Sequence, residues 1–473
     1  MLTLQVGQLY AQTRILTLDS CKSMALRNQA KVRNAVLDVE VAKATKSAAL
    51  THYFPTLSMA AGAFHSRDYL IDVNNNDVHE SDNAHLDVNV AIDGYNVEAS
   101  DLQNLLDILG YDIDLEREIQ NLMDHVAVDA HLQMFNRGLF VNAMLTQPIY
   151  AGGRIVNGNK LAKLGVDVAE LQLLMSRDEV ELNVEENYWT VLSLKEKLAT
   201  VQMLEQLLDT LDHDATAATE AGVIGKNDLL KVRLKKNELS AAKLQLTNGI
   251  RLATMSLCQL MGVDYSDVEN VELGNHLEDL LPQLTPRLWS SDEYARIVSE
   301  RKESQLLDKA VQAEELKRSM VIGEALPEVA VGATYGVNNL LGKMADNAVV
   351  FATVNVPLTG WWEISHNARK QDILRQQAEL NRDDLRQKME LQVRQAVDAE
   401  NEALQLLTIR RQAVSDAEEN LTESRNYYDA GMIGVSDYLE AQTLLRQAQN
   451  EYVDQMVTAR MASVRRRQLT NNQ

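Results

Sequence analysis

The residues that could make or break bonds never converge in this sequence. Nine histidines are scattered, and no His-Glu-x-x-His pair, glycine-rich phosphate loop or Gly-x-Ser-x-Gly elbow occurs. Two cysteines, Cys21 and Cys258, form neither a Cys-x-x-Cys pair nor a disulfide framework. An enzyme is therefore not expected, nor a cofactor or a specific metal site. The carboxylates, by contrast, have a pattern. Asp437 and Glu440 are three apart and so share one helical face. Their chemistry is electrostatic: they can complement the start of a helix or attract cations.

A second group of acids is a block. Residues 68–136 hold sixteen Asp and Glu against the single basic Arg117, which accounts for −15 of the net charge of −22. That balance disfavours nucleic acid as a partner. His79, His85, His125 and His131 lie in the same block, but no EF-hand spacing accompanies them, so it reads as a solvated acidic loop. Within it, Ser100 could cap a helix carrying Leu102, Leu105, Leu106 and Leu109, and Ile119, Leu122, Met123 and Val126 suggest another.

The acids at 437 and 440 are positioned by a stretch that occurs twice. Ala221-Gly222-Val223-Ile224-Gly225 and Ala430-Gly431-Met432-Ile433-Gly434 each lie between long helical patterns and read as hairpin turns. The first Gly of each can adopt the left-handed conformation that ends a helix. Asn227 and Ser436 are the expected N-caps of the returning helices, with Asp228 and Asp437 directly behind them. Upstream of the first turn, Leu161, Leu164, Val168, Leu171 and Met175 follow coiled-coil spacing, continued by Leu182, Trp189 and Leu192. A helix of some 65 residues there would run roughly 100 Å.

The whole order of elements repeats. A helix over 17–50 precedes a strand at about 55–66; after the acidic insertion, about 68–136, a second strand covers about 137–148 and a helical hairpin 153–261. An irregular link at 263–290 joins this first repeat, 12–262, to the second, 291–473. There a helix leads to strands at about 327–338 and 347–357 and a hairpin over 361–468. Pro55 and Pro327 lie 272 residues apart, whereas Pro148 and Pro357, like Gly222 and Gly431, lie 209 apart. The difference of 63 residues is the insertion. Residues 1–11 read as a signal-peptide remnant, and no apolar run is long enough for a transmembrane helix.

The strands alternate. Leu57, Met59, Ala61 and Ala63 oppose Ser58, Ala60, Gly62 and Phe64; Val350, Ala352, Val354 and Val356 oppose Phe351, Thr353 and Asn355. Their length suits an outer-membrane barrel strand. Four strands cannot close alone, so several chains are required, and three would supply twelve strands. Tyr53, Phe54, Tyr150, Trp361 and Trp362 cluster at strand ends, where an interfacial aromatic belt belongs.

In its element order, its duplication, the Pro-x-x-x-Gly-Gly run at 148–153 and the two tip turns, the chain resembles the TolC family of outer-membrane channels. The resemblance covers all but the insertion and the first dozen residues. It implies a mainly α fold with a membrane β-barrel: a homotrimer with a 12-stranded barrel in outer-membrane lipid and a long periplasmic α-barrel of coiled-coil helices. It implies an exit duct of a tripartite efflux pump in a Gram-negative outer membrane, docked to a periplasmic adaptor and an inner-membrane transporter. Type I protein secretion is the alternative, and a soluble coiled-coil scaffold is the rival of another class. By the resemblance, Asp437, Glu440, Tyr428, Asp228 and Asn227 belong to a periplasmic gate. Gly222, Val223, Ile224, Gly225, Gly431, Met432, Ile433 and Gly434 form the tips that meet the adaptor. Two departures stand out: Ile433 occupies the place of an Arg, and Trp361-Trp362 stand where the first repeat has Gly152-Gly153.

Overall fold

The computed structural model describes residues 14–67, 71–74, 90–92, 95–97, 131–134, 137–264, 271–277, 290–339, 344–358 and 360–470. In chain order the elements are β1 (Arg14–Leu16), α1 (Leu18–Asn28), α2 (Ala30–Thr51), β2 (Thr56–His65), β3 (Ile71–Asn74), β4 (Val90–Ile92), β5 (Tyr95–Val97), β6 (His131–Met134), β7 (Arg137–Ala151), α3 (Arg154–Glu220) and α4 (Lys226–Met261). They continue with β8 (Val271–Leu273), α5 (Ser291–Glu300), α6 (Lys302–Gly323), β9 (Glu328–Asn338), β10 (Ala345–Asn355), α7 (Trp361–Asp429) and α8 (Val435–Thr470). The proposed signal remnant and the insertion's helices lie outside the described residues.

The repeat is plain in these bounds. Helices α4 and α8 are both 36 residues long and begin and end 209 residues apart. The long helices α3 and α7 have 67 and 69 residues. The expected single helices at the start of each repeat are each broken, at Gln29 between α1 and α2 and at Arg301 between α5 and α6. Both residues have extended backbone, and they lie 272 apart, the same offset as Pro55 and Pro327.

The chain divides into two compact units. One comprises 45–163 and 314–374 and is built on a four-stranded antiparallel sheet of order β10-β9-β7-β2. The hairpins β2/β7 and β9/β10 are joined through β7 and β9. Strand β7 does not stop at Pro148 but continues to Ala151 through an irregularity between Pro148 and Tyr150. Pro148 has no N–H for the ladder, and the bulge absorbs that loss. Beyond the sheet, β3 and β6 pair antiparallel and prolong the first hairpin into the insertion.

The other unit comprises 1–44, 164–313 and 375–473. Its core is a seam between helices. Val180, Val184, Tyr188 and Trp189 of α3 pack with Leu257 and Met261 of α4, Leu404 and Leu407 of α7, and Met456 and Ala459 of α8. Nearer the turns, Leu204, Leu208, Leu211 and Ala215 of α3 are buried at 4-3-4 spacing against Val232, Tyr438 and Leu439. Among the described residues of the link lies β8, which pairs in parallel with β1.

Candidate functional site

In the sheet, register decides which side chains share a face. Ala60 opposes Asn142, Asn142 opposes Gly336, and Gly336 opposes Asn347. Side chains alternate along each strand. One face therefore carries Ser58, Asn142, Thr146, Thr334, Asn347, Thr353 and Asn355 among glycines, three phenylalanines (Phe64, Phe140 and Phe351), Met144 and Val349. Asn142 and Thr334 are buried on it, and the Thr334 hydroxyl donates to Asn142 Oδ1. The opposite face carries Leu57, Met59, Leu139, Val141, Leu145, Val331, Val350 and Val354, and among the described residues it is largely uncovered. Leu57, Met59 and Val350 are 73%, 77% and 85% exposed.

The ends of the sheet differ as well. Strand β2 starts, β7 ends, β9 starts and β10 ends at the same edge. Tyr53 and Phe54 precede β2, Tyr150 is the penultimate residue of β7, and Trp361 and Trp362 open α7; all five are exposed. Trp361 Nε1 donates to the Ala325 carbonyl at 3.1 Å and Gln147 Nε2 to the Tyr53 carbonyl at 3.1 Å. His65, Arg137 and Asp346 mark the other end.

At the turns, in the second unit, the two repeats close identically. Gly222 (φ 73°) and Gly431 (φ 70°) are left-handed. Val223 N donates to Ala218 O and Gly222 N to Thr219 O, at 2.8 and 3.0 Å; Met432 N donates to Tyr427 O and Gly431 N to Tyr428 O, at 2.8 and 2.9 Å. This paired pattern satisfies the last carbonyls of α3 and α7. The helix caps differ from the sequence expectation. Gly225 is the N-cap of α4 and has no side-chain cap bond. Asn227 and Ser436 therefore sit inside the first turns of α4 and α8, and at α8 the acid does the capping. Asp437 Oδ2 accepts from Gly434 N at 3.3 Å. A carboxylate in the first turn also suits the helix dipole.

Val223 and Met432 are 75% and 71% exposed, whereas Ile224 and Ile433 are half-buried, so the apolar tip residues divide into outward and packed pairs. Asp437 and Glu440 are exposed on one face of α8, as their spacing requires. Tyr428 stacks on Tyr438 with ring centroids 5.5 Å apart. Burial first, and then the carboxylates of Asp214, Asp429 and Asp228, push the Tyr428 hydroxyl above its ordinary range, so it stays a hydrogen-bond donor. A residue that the sequence reading passed over joins the two turns: Lys231 Nζ donates to Asp228 Oδ1 at 3.1 Å and to Ser436 Oγ at 2.8 Å. Its one signal is position, one helical turn after Asp228. It brings a cation between the two turns.

Among the described residues no group of His, Cys, Asp and Glu is arranged to hold a metal ion, and no helix is long and apolar enough to cross a membrane.

No family model matches this sequence, and no curated protein matches it in sequence. Solved structures do match in fold. The outer membrane protein VceC of Vibrio cholerae is 14% identical, with a TM-score of 0.71 over 96% of this chain and 95% of its own. The CmeC outer membrane channel of Campylobacter jejuni is 13% identical, with a TM-score of 0.72 over 96% and 85%. The MtrE outer membrane channel of Neisseria gonorrhoeae, captured in its open state, is 13% identical, with a TM-score of 0.70 over 96% and 88%. At such identities the likeness is one of fold, and it spans almost the whole of this chain. The single-chain fold implied by the resemblance in the sequence, long helices with a few antiparallel strands, is thus the fold found.

Proposed function

We propose that this chain is the outer-membrane exit duct of a tripartite efflux pump, working as a homotrimer in a Gram-negative outer membrane. The observation that carries this reading is the sheet. Its four strands offer one uncovered apolar face, with Val350 at 85% exposure, and an opposite face carrying Asn142, Thr334, Asn347 and Thr353. Lipid satisfies the first and a water-filled lumen the second. The sheet also leaves the outer edges of β2 and β10 unpaired. An open edge in hydrocarbon costs several kcal/mol per unsatisfied backbone group. Three copies, joined edge to edge, remove it and give twelve strands. The exposed aromatics at one end of the sheet fit the headgroup level. On the helices, stripe positions such as Leu374 and Leu385 remain exposed in the single chain and fit against neighbouring copies.

In this role the chain moves cargo and performs no reaction of its own. Small molecules pass along the lumen from a periplasmic adaptor and an inner-membrane transporter. Val223 and Met432 are the natural adaptor contacts. Asp437 and Glu440, with Tyr428, Asp228 and Asn227, form the periplasmic gate, and Lys231 ties its two turns together. The test is isolation. The protein should fractionate with outer membranes, require detergent, and run as a trimer that dissociates only on heating. A detergent-solubilised monomer with native circular dichroism would sink the reading.

A further inference from the structure

Two of the three phenylalanines on the Asn142 face of the sheet each lie over a glycine of the neighbouring strand. Gly62 of β2 is opposite Phe140 of β7, and Gly332 of β9 is opposite Phe351 of β10. The contacts are close. A Cβ added to Gly62 would stand 2.5 Å from Phe140 Cζ and 2.6 Å from Cε1. One added to Gly332 would meet Phe351 Cζ and stand 2.8 Å from the Leu145 carbonyl oxygen. Both rings therefore lie flat across the sheet, in the space where the opposite residue would otherwise project. Both are half-buried, although this face is open along much of β10.

The two pairs are on different levels. Phe140 shares its row with Gly62 and Asn338, whereas Phe351 shares its row with Gly332, Thr146 and Thr56. Three side-chain steps separate these rows along β7. An aromatic over a glycine fixes strand register. Here it does a second thing, because the same face carries Asn142, Thr334 and Asn347. We propose that Gly62 and Gly332 are clearance residues: they hold Phe140 and Phe351 against the wall, so that bulky apolar rings line the conduit without narrowing it. The inference rests on the channel reading above and adds to it the residues that set the free bore.

Gly62 is the place to test this, since a Cβ there meets only the far end of a side chain, which can swing. A Cβ at Gly332 also meets backbone. In Gly62→Ala trimers reconstituted into planar bilayers, Phe140 must leave the wall, and single-channel conductance is expected to fall. The double variant Gly62→Ala/Phe140→Ala should recover it. Phe140→Ala alone keeps the glycine and should conduct like the wild type, because a ring lying flat does not obstruct; this variant does not depend on tolerance of the Gly62 substitution. A conducting wild type with an unchanged Gly62→Ala trimer, or a clear conductance gain in Phe140→Ala, would overturn the inference and leave the channel reading standing. A wild-type trimer that forms no pore would overturn both.

Discussion

Glu185 is 1% exposed among apolar side chains, yet it remains a carboxylate. Burial opposes its ionisation, but the hydrogen bond and charge of Lys22, the charge of Arg460 and the Trp189 indole outweigh that and hold it below its ordinary value of 4.5. Lys22 Nζ is 2.5 Å from Oε2, Arg460 Nε donates to Oε1 at 3.2 Å, and Trp189 Nε1 donates to the same oxygen at 3.3 Å. The three partners come from α1, α8 and α3 itself, so one acid joins three elements. The folded pKa is the lower one. Its contribution is therefore complete above the unfolded value of 4.5 and is lost as pH falls through the folded value. Glu185→Gln should cost roughly 3 kcal/mol, the low end for breaking a buried pair. The gap in melting temperature between variant and wild type should be constant near neutrality and shrink below pH 4.5. A gap that does not change on acidification would mean that Glu185 acts through packing alone. None of this was legible in the sequence, where Glu185 is one acid among many in a helical run; only the three-dimensional meeting with Lys22 and Arg460 distinguishes it.

The elements were legible wherever glycine, proline or period announced them. Gly222 and Gly431 end helices in the left-handed conformation that their repeated context suggests, and the alternation of Leu57, Met59, Ala61 and Ala63 gives the outward face of β2. What stayed hidden lacked such signals. Gln29 and Arg301 break the two leading helices without proline or glycine. Asn28 Nδ2 donates to the Met261 carbonyl at 2.9 Å next to one break, and Arg301 is itself buried and bound to Glu303 at the other. The first is a tertiary contact overriding local helix propensity, and the second is a local ion pair at a buried position. The short pairing of β1 with β8 joins residues more than 250 apart, which periodicity cannot reveal. The unlike pair Gly152-Gly153 and Trp361-Trp362 now has a physical account. Both glycines have positive φ, and α3 starts only at Arg154; α7 starts at Trp361, two residues earlier in the repeat, so its tryptophans are simply helical. Gly152 is further constrained, because a Cβ there would run into the backbone of Gly323, whereas the nearest atom to one at Gly153 is Asn157 Nδ2 at 3.8 Å. Gly153→Ala should therefore cost only the strain of positive φ, about 1–3 kcal/mol. Gly152→Ala adds a backbone collision and should be clearly worse. Thermal unfolding of the two purified variants checks this order, and equal losses would mean that the Gly152–Gly323 approach relaxes freely.

At the scale of the whole molecule, among the described residues two sheet edges are unpaired and one sheet face is uncovered. In the proposed trimer, assembly about a threefold axis would change the meaning of residues that look ordinary in one copy. Asp437 in isolation is a first-turn acid bonded to Gly434 N, and Glu440 is an exposed acid one turn further on. Three copies of each, brought near an axis at a narrowing entrance, repel one another, and the repulsion grows where water is scarce. Such a ring should draw cations and make the pore cation-selective. The closed state then needs contacts that oppose the repulsion. Lys231 between Asp228 and Ser436, the stacked Tyr428 and Tyr438, and the packed Ile224 beside them in the same cluster are the ones this chain supplies. The capping role and the selectivity role can be separated by substitution, because an amide at position 437 can still accept the Gly434 hydrogen bond while losing the charge. The Asp437→Asn/Glu440→Gln trimer should therefore assemble with little loss of stability. In planar bilayers with a salt gradient its reversal potential should move toward the non-selective value, and any block by divalent cations should weaken. An unchanged reversal potential would confine both acids to the start of their helix and leave the gate to the lysine and the tyrosines.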